Sequence, residues 1–262
     1  MIIRRLVLIL IILFFAFPLG SYGADGKIGI VLLHGKQDRA PYKIASLANR
    51  LKDEGYLVVT PEMPWSRSRM YDATFEEAML EIDKAFDQLK KEGAQRIIIS
   101  GLSMGGNAAL GYGARRTNLS GIIIMAPGHF PETPKFLGMS ASDIAKAKEL
   151  SAAGKADEKI DFNDSNMGRT FTSHARVKVY LSYFDPEGPA VIPANAAAIR
   201  SSIPILWIVG KKDPATRPSS YAFDKAPPNP KSKYLAVDAG HLDTPDVAAD
   251  QIILWIADLW NK

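Results

Sequence analysis

The chain has 262 residues, of which 47% are hydrophobic and 23% are charged, and its formal net charge is +4. This composition supplies enough apolar material for one sizeable core and excludes a disordered or low-complexity protein. The basic residues are scattered rather than clustered, so nucleic acid is not an expected partner.

The N-terminal residues have the order of a secretory signal peptide. A short basic start precedes an unbroken apolar run over residues 6–17, which Pro18 interrupts. We expect residues 1–24 to be a cleaved signal peptide, because the apolar run is shorter than the about 20 residues of a membrane-spanning helix. The expected location is therefore periplasmic or secreted, without stable membrane insertion. The alternative is an uncleaved N-terminal helix that anchors the protein.

Residues 25–262 are predicted to form one α/β domain, because short β-branched runs alternate with longer segments of helical spacing. Most of the runs are apolar throughout, which is typical of strands buried on both faces. This alternation predicts a mostly parallel central sheet with helices on both faces. The predicted strands are 28–33, 56–60, 96–100, 122–125, 205–209 and 234–237, and the predicted helices are 42–54, 75–92, 107–116 and 246–260.

The segment 131–198 departs from this alternation. It contains a helical piece around residues 142–153 and several aromatic residues, but no confident strand–helix unit. Segments of this length inside a compact domain are usually functional. We interpret 131–198 as a lid or cap inserted over an active site, and extra structure at the sheet edge is the alternative.

The sequence GLSMGG at residues 101–106 lies directly between a predicted strand and a predicted helix. A strand that turns sharply into a helix exposes the hydroxyl of Ser103, and glycine is needed at Gly101 and Gly105 because larger side chains would collide with neighbouring backbone. The helix N-terminus offers free N–H groups to developing negative charge. This context indicates a nucleophilic serine rather than an ordinary glycine-rich turn.

A serine hydroxyl needs a base to remove its proton, and the base needs an acidic partner. His241 follows the last predicted strand, on the sheet edge where ligands bind in open α/β folds. Asp213 lies on the same edge, directly after the strand at 205–209. We therefore predict His241 as the base and Asp213 as the acid, with Asp185 and Asp243 as the competing acids.

These motifs resemble those of the α/β-hydrolase superfamily over essentially the whole chain after the signal segment. The resemblance lies in the sequences LHG at 33–35, GLSMGG at 101–106, GKKDP at 210–214 and AGH at 239–241, and in the order Ser103, Asp213, His241. It implies a hydrolase with a catalytic triad and room for a lid before Asp213.

The resemblance also implies an oxyanion hole. One backbone N–H would come from Met104, directly after the nucleophile, and the other from Lys36 or else Gln37, after the His-Gly pair. Such donors each contribute roughly 10²–10³ in rate.

Gln37, Trp65 and His129 are candidate substrate-pocket residues. Trp65 and the aromatic residues of the insertion could form an acyl pocket, or those aromatic residues could form the core of the insertion. His129 follows a predicted strand, and a loop histidine without a role is the alternative. Arg67 and Arg69 either bind an anionic substrate or lie on a solvated loop.

The expected function is that of an exported carboxylesterase acting on a small-molecule acyl substrate, because esterase activity is the commonest on this scaffold. Thioesterase, amidase or peptidase activity on the same triad is the alternative, as is a non-catalytic binding protein. No group of His, Asp and Glu residues has metal-ligand spacing, so neither a metal nor a cofactor is expected. The sequence does not predict an oligomeric state.

Overall fold

The computed structural model describes residues 26–260, so the expected signal peptide at 1–24 lies outside the described residues. Within the described part of the chain, no helix is both long enough and apolar enough to cross a bilayer.

A six-stranded parallel sheet forms the centre of the domain, and its strand order is β2-β1-β3-β4-β7-β8. A separate antiparallel hairpin is formed by β5 and β6. Between residues 26 and 260 the strands are β1 Lys27–Leu33, β2 Leu57–Val59, β3 Ala94–Leu102, β4 Gly121–Met125, β5 Lys159–Asn166, β6 Arg169–Arg176, β7 Ile205–Gly210 and β8 Lys233–Val237.

Helices cover both faces of the sheet, because its inner strands are apolar on both sides. In β1, Ile30 and Leu32 pack into one core with α1 and α8, whereas Val31 and Leu33 pack into the other core with α2 and α3. The helices are α1 Ala45–Asp53, α2 Phe75–Lys91, α3 Met104–Arg115, α4 Pro134–Ala152, α5 Val177–Phe184, α6 Ile192–Ala197, α7 Thr244–Val247 and α8 Ala249–Asp258.

This architecture confirms the predicted mostly parallel sheet with helices on both faces. The six predicted sheet strands are present, with ends that differ by up to two residues. The predicted helix 246–260 is instead two helices, α7 and α8. The predicted strand 56–60 is the short edge strand β2, whose residues are only half-buried because no strand between residues 26 and 260 pairs with its outer side.

The segment 131–198 contains α4, the β5–β6 hairpin, α5 and α6, and it connects the neighbouring strands β4 and β7. The hairpin and α5 were not predicted. Their aromatic residues form a local core: Phe162 stacks on Tyr180 with ring centroids 3.9 Å apart, and Tyr180 stacks on Phe184 at 4.1 Å. Of the two interpretations of the aromatic residues, a core of the insertion is therefore the one that applies to Phe162, Tyr180 and Phe184.

Candidate active site

Ser103 lies in the turn between β3 and α3, at the carboxyl edge of the sheet. Its backbone angles are φ 57° and ψ −117°, a combination that costs a non-glycine residue of order 1–3 kcal/mol. Its N–H donates to the Met125 carbonyl at 2.9 Å, and its carbonyl accepts the Asn107 N–H at 3.1 Å. Strand β4 on one side and helix α3 on the other therefore hold the strained turn.

Two glycines allow this turn to approach its neighbours. A Cβ at Gly101 would lie 2.2 Å from the Gly105 carbonyl, and one at Gly105 would lie 2.4 Å from the Leu33 carbonyl. A third close approach occurs at Gly128, after β4, where a Cβ would lie 2.6 Å from the Ser103 hydroxyl. The predicted collisions with backbone are thus present at both elbow glycines.

His241 and Asp213 meet at the same edge of the sheet. Nδ1 of His241 lies 2.7 Å from Oδ2 of Asp213, and the other oxygen of Asp213 accepts the Ala215 N–H at 2.8 Å. With the carboxylate as acceptor, Nδ1 carries the proton and Nε2 keeps its lone pair. Neither competing acid bonds to His241 among the described residues: Asp185 pairs with Lys148, and Asp243 is the residue that precedes α7, without a side-chain hydrogen bond to that helix.

The loop after β1 presents Lys36 beside Ser103. The N–H groups of Lys36 and Met104 donate to no described residue, whereas the Gln37 N–H donates to the Trp65 carbonyl at 2.9 Å. Lys36 and Met104 both line the cavity that contains Ser103. Between the two N–H groups considered after the His-Gly pair, the geometry favours Lys36, because that of Gln37 is already used.

The His34 side chain holds the loop after β1 in place through two hydrogen bonds. Its Nδ1 lies 2.8 Å from the Gly35 carbonyl, and its Nε2 accepts the Met63 N–H at 3.0 Å. Burial lowers the pKa of His34, so the ring is neutral with its proton on Nδ1. The Gly35 carbonyl belongs to the same peptide plane as the Lys36 N–H, and the neutral ring therefore orients that plane.

Two neighbouring cavities both reach Ser103, and they also share Lys36, Asn166, Met167 and His241. The larger cavity, of about 440 Å³, also contains Asp213, and its border combines a set of aromatic and methionine side chains with polar and charged ones, among them Lys135 and Arg217. The apolar part of this border includes Phe130, Phe136 and Met139. The smaller cavity, of about 230 Å³, is bordered mainly by polar and charged side chains from the segments around residues 37–43 and 67.

A buried ion pair attaches the β5–β6 hairpin to the loop after β1. Nζ of Lys36 lies 2.8 Å from Oδ1 of Asp164, and the two side chains are 5% and 1% exposed. The Tyr71 hydroxyl donates to the other oxygen of Asp164 at 3.0 Å. The amide of Asn166 donates to the Lys36 carbonyl at 3.0 Å, so the hairpin contacts both the side chain and the backbone of Lys36.

The structure corrects one candidate pocket residue. Trp65 is 1% exposed, lines neither cavity, and donates its Nε1–H to the His34 carbonyl at 2.9 Å. Its indole is large enough to need burial and a hydrogen-bond acceptor, and it finds both beneath the loop after β1. Trp65 is therefore a support of that loop, and the prediction that it lines the pocket is wrong.

The other two candidates do line cavities. Gln37 borders the smaller cavity, and its side-chain amide lies 3.2 Å from the Met70 sulfur. His129 borders the larger cavity, with Nε2 2.7 Å from the Tyr183 carbonyl. Burial, followed by the charge of Lys36, holds the pKa of His129 well below its usual value, so its ring is neutral.

Several residues at the site were not identified from the sequence. Phe136 and Met139 come from α4, and Asp164 and Asn166 come from the hairpin. No local pattern marks them, because they reach the site through the packing of the insertion. Gly128 carries a usable signal: it follows a buried strand, and the carboxyl ends of parallel strands meet at one edge.

The sheet order, the serine turn and the His241–Asp213 pair define the class: the chain belongs to the α/β-hydrolase superfamily. Within it, the sequence matches the serine aminopeptidase S33 family over residues 25–242, and the chain belongs to that family.

A curated relative is the thermostable monoacylglycerol lipase of Bacillus sp. strain H-257, which is 28% identical over 145 residues. The match spans 49% of this chain and 57% of that lipase, little more than half of its length. Solved structures with the same fold include a Paleococcus ferrophilus monoacylglycerol lipase, with a TM-score of 0.62, 19% identity and coverage of 88% and 94% of the two chains. A Bacillus coagulans carboxyl esterase has a TM-score of 0.62, 17% identity and coverage of 90% and 91%.

Replacing Gly101 by alanine tests the close approach at the serine turn. The new Cβ would meet backbone at 2.2 Å, so we expect Gly101→Ala to lower the free energy of unfolding by about 1–3 kcal/mol or more. Gly138→Ala is the matched control, because its Cβ would point into open space within α4. It should leave stability unchanged or raise it by about 0.5–1 kcal/mol. Urea unfolding measures both, and equal stabilities would refute the steric argument.

Removing Asp164 tests the buried ion pair. Asp164→Ala leaves Lys36 buried without its counter-ion, so the free energy of unfolding should fall by about 3–5 kcal/mol. Asp161→Ala, on the same hairpin strand, removes an exposed pair with His174 and should change it by less than about 1 kcal/mol. Chemical denaturation compares the two, and a similar loss in both variants would contradict the assigned role of the buried pair.

Proposed function

We propose that this protein is a serine hydrolase that cleaves carboxylic esters through an acyl-enzyme. The observation that carries the proposal is the 2.7 Å contact between His241 and Asp213 in the cavity that also contains the strained Ser103. An imidazole that a carboxylate orients, in the same cavity as a half-buried serine, is the arrangement needed to activate the hydroxyl.

In the first half-reaction, Nε2 of His241 accepts the Ser103 proton while the hydroxyl oxygen attacks the ester carbonyl. The carbonyl oxygen becomes an oxyanion, which the N–H groups of Lys36 and Met104 stabilise. Collapse of the tetrahedral intermediate breaks the bond to the alcohol, which leaves with the proton from His241. Asp213 stays ionised and stabilises the transient imidazolium.

In the second half-reaction, water replaces the alcohol. His241 removes a proton from the water as it attacks the acyl-enzyme, and the same oxyanion hole holds the second intermediate. The proton then returns to the Ser103 oxygen as the carboxylic acid leaves. The net reaction is one ester and one water giving one acid and one alcohol.

The larger cavity suits the acyl group of the ester. Phe130, Phe136 and Met139 offer it apolar contacts within the cavity that also contains Ser103. Burial of a hydrocarbon chain against such side chains contributes about 0.8 kcal/mol per methylene. We therefore assign the acyl chain to this cavity and propose that segment 131–198, which supplies two of these side chains, caps it.

Peptide hydrolysis from a free amino terminus is the second candidate, because the family bears the name of a serine aminopeptidase. An aminopeptidase must hold an α-ammonium group near the scissile bond. The only carboxylates that border the two cavities are Asp213, bound to His241, and Asp38, which lies among cationic side chains. Together with the lipase and esterase relatives, this charge distribution favours esters.

Labelling with a fluorophosphonate tests the activated serine. We expect the folded protein to form one covalent adduct on Ser103, located by mass spectrometry. The adduct should disappear in Ser103→Ala and in His241→Ala, because one removes the nucleophile and the other removes its base. Hydrolysis of nitrophenyl esters of graded acyl length, beside an alanine nitroanilide, then separates esterase from aminopeptidase activity. A folded protein that remains unlabelled would favour the non-catalytic alternative.

The acid is tested in the same assay. Asp213→Asn should lower kcat by about 10³–10⁴, because the amide no longer fixes the productive tautomer of His241. Asp243→Asn is the matched control, since it changes a carboxylate two residues from His241 without contacting its ring nitrogen. Equal losses in both variants would remove Asp213 from its assigned role.

We also propose that residues 1–24 direct export and are removed. The basic, apolar and small-residue order of this segment supports the proposal. Expression of the full chain in a Gram-negative host, followed by fractionation and N-terminal sequencing, should give a periplasmic protein that begins near residue 25. An intact N-terminus in the membrane fraction would instead support the uncleaved anchor.

A further inference from the structure

The smaller cavity beside Ser103 has a strongly cationic border. Arg39, Lys43 and Arg67 all line it, and Asp38 contributes the only carboxylate of its border. The cavity also reaches Ser103 and His241, so a group bound there would lie next to the scissile bond. This concentration of positive charge has no role in the proposed triad chemistry.

The three cations have no counter-ion within the described chain. None of their side chains forms an ion pair or donates a hydrogen bond to a residue between 26 and 260, and the contact of Lys43 is with the Tyr42 ring at 4.7 Å. By contrast, the neighbouring Arg69 pairs with Glu81 at 2.6 Å and with Asp72 at 2.9 Å. Of the two arginines in that loop, Arg67 is therefore the one available to a ligand.

The backbone that carries these cations is held in place. The Arg67 N–H donates to the Asp38 carbonyl at 2.9 Å, which joins the two loops that border the cavity. The carboxylate of Asp38 accepts the Lys43 N–H at 3.3 Å, and it thereby closes the turn between them. A further acid, Glu62, bonds to Ala40 and Ser68 and does not border the cavity.

We propose that the smaller cavity binds an anionic group, a carboxylate or a phosphate, on the alcohol side of the ester substrate. This inference rests on the proposed esterase function. Because that proposal places the acyl chain in the larger cavity, the smaller cavity, which also reaches Ser103, is left for the alcohol. Arg67 and Arg39 supply guanidinium donors that match the geometry of such anions, and Lys43 supplies a point charge.

The expected effect is moderate and depends on salt. All three side chains are exposed, so solvent and ions screen their charges, and no one of them dominates. Together they raise the local concentration of an anionic substrate and hold its charged end. Selectivity for an anionic alcohol is therefore the diagnostic property, rather than the overall rate.

The experiment compares butyrate esters of 4-hydroxybenzoate and 4-hydroxybenzamide, which differ only in the charge of the alcohol side. For the triple variant Arg39→Gln/Lys43→Gln/Arg67→Gln, the ratio of kcat/KM for the anionic over the neutral ester should fall about tenfold. The neutral ester alone should be cleaved nearly as before. A third ester, 4-phosphonophenyl butyrate, distinguishes a phosphate-like group from a carboxylate. The anion that the site prefers is the one whose ratio of kcat/KM falls more in the triple variant.

Lys52→Gln/Lys84→Gln/Lys91→Gln is the matched control, because it removes the same charge from exposed lysines that line neither cavity. Its ratio should equal that of the wild type. An unchanged ratio in the cavity variant, or an equal fall in both variants, would overturn the inference. The hemisuccinate ester of 4-hydroxybenzamide carries its carboxylate on the acyl side. The inference would also be overturned if the cavity variant lost its preference for this ester rather than for the ester with an anionic alcohol.

A binding measurement separates this inference from the proposed activity. Calorimetry on Ser103→Ala should show 4-hydroxybenzoate binding more tightly than 4-hydroxybenzamide, with the difference lost in the cavity variant and at high salt. Failure of the wild type to cleave any ester would refute the proposed function, while this binding difference would still support the cationic site. Equal affinities for the two ligands would overturn the inference itself.

Discussion

The geometry of the site depends on the close approach of two backbone segments, the start of α3 and the end of β1. Gly105, in the first turn of α3, lies so near the Leu33 carbonyl that a single methyl group would collide with it. This contact brings the serine turn against the end of β1, and therefore places Ser103 beside the loop that carries Lys36. Because the approach is between backbone atoms, no side-chain rearrangement can remove the collision that a larger residue at position 105 would cause. The strained angles of Ser103 persist since β3, β4 and α3 are all fixed around it.

The same loop connects the sheet to the insertion. Lys36 extends its backbone toward Ser103 and its side chain into the buried pair with Asp164. The ammonium also lies 5.4 Å from the ring centroid of Phe184 and 6.0 Å from that of Phe136. A charge in such surroundings is stable only with its counter-ion and hydrogen bonds in place. The insertion and the active-site loop are therefore one packed unit, although more than 120 residues separate them in the chain.

The two cavities give the site an asymmetry that the triad lacks. The larger cavity contributes the aromatic and methionine side chains, together with Lys135 and Arg217, whereas the smaller cavity has Arg39, Lys43 and Arg67 and, within the described part of the chain, no phenylalanine, tyrosine or tryptophan except Tyr42. A triad by itself does not select a substrate, because it acts only on the carbonyl group and transfers only the proton of the serine hydroxyl. Selectivity must come from such flanking surfaces, and the apolar side chains of the larger cavity and the exposed cations of the smaller one underlie the proposal of an apolar acyl chain and an anionic alcohol.

Much of this description follows from local sequence. The buried β-branched runs predict the strands, and the turn GLSMGG predicts its own geometry, because the glycines and the adjoining strand and helix are contiguous. The order of Ser103, Asp213 and His241 could be read as well, since each follows a strand whose carboxyl end meets the others at one edge. The role of Trp65 could not be predicted from the sequence, because its burial beneath the loop after β1 depends on which segments pack together. Asp164 could not be predicted for the same reason. Arg67 was a sequence candidate for binding an anionic substrate, but its place beside Arg39 and Lys43 at the smaller cavity depends on the packing of two loops. The sequence by itself determined the sheet, the turn and the candidate triad through short-range rules, whereas only the tertiary structure decided what surrounds them, because those neighbours come from segments distant along the chain.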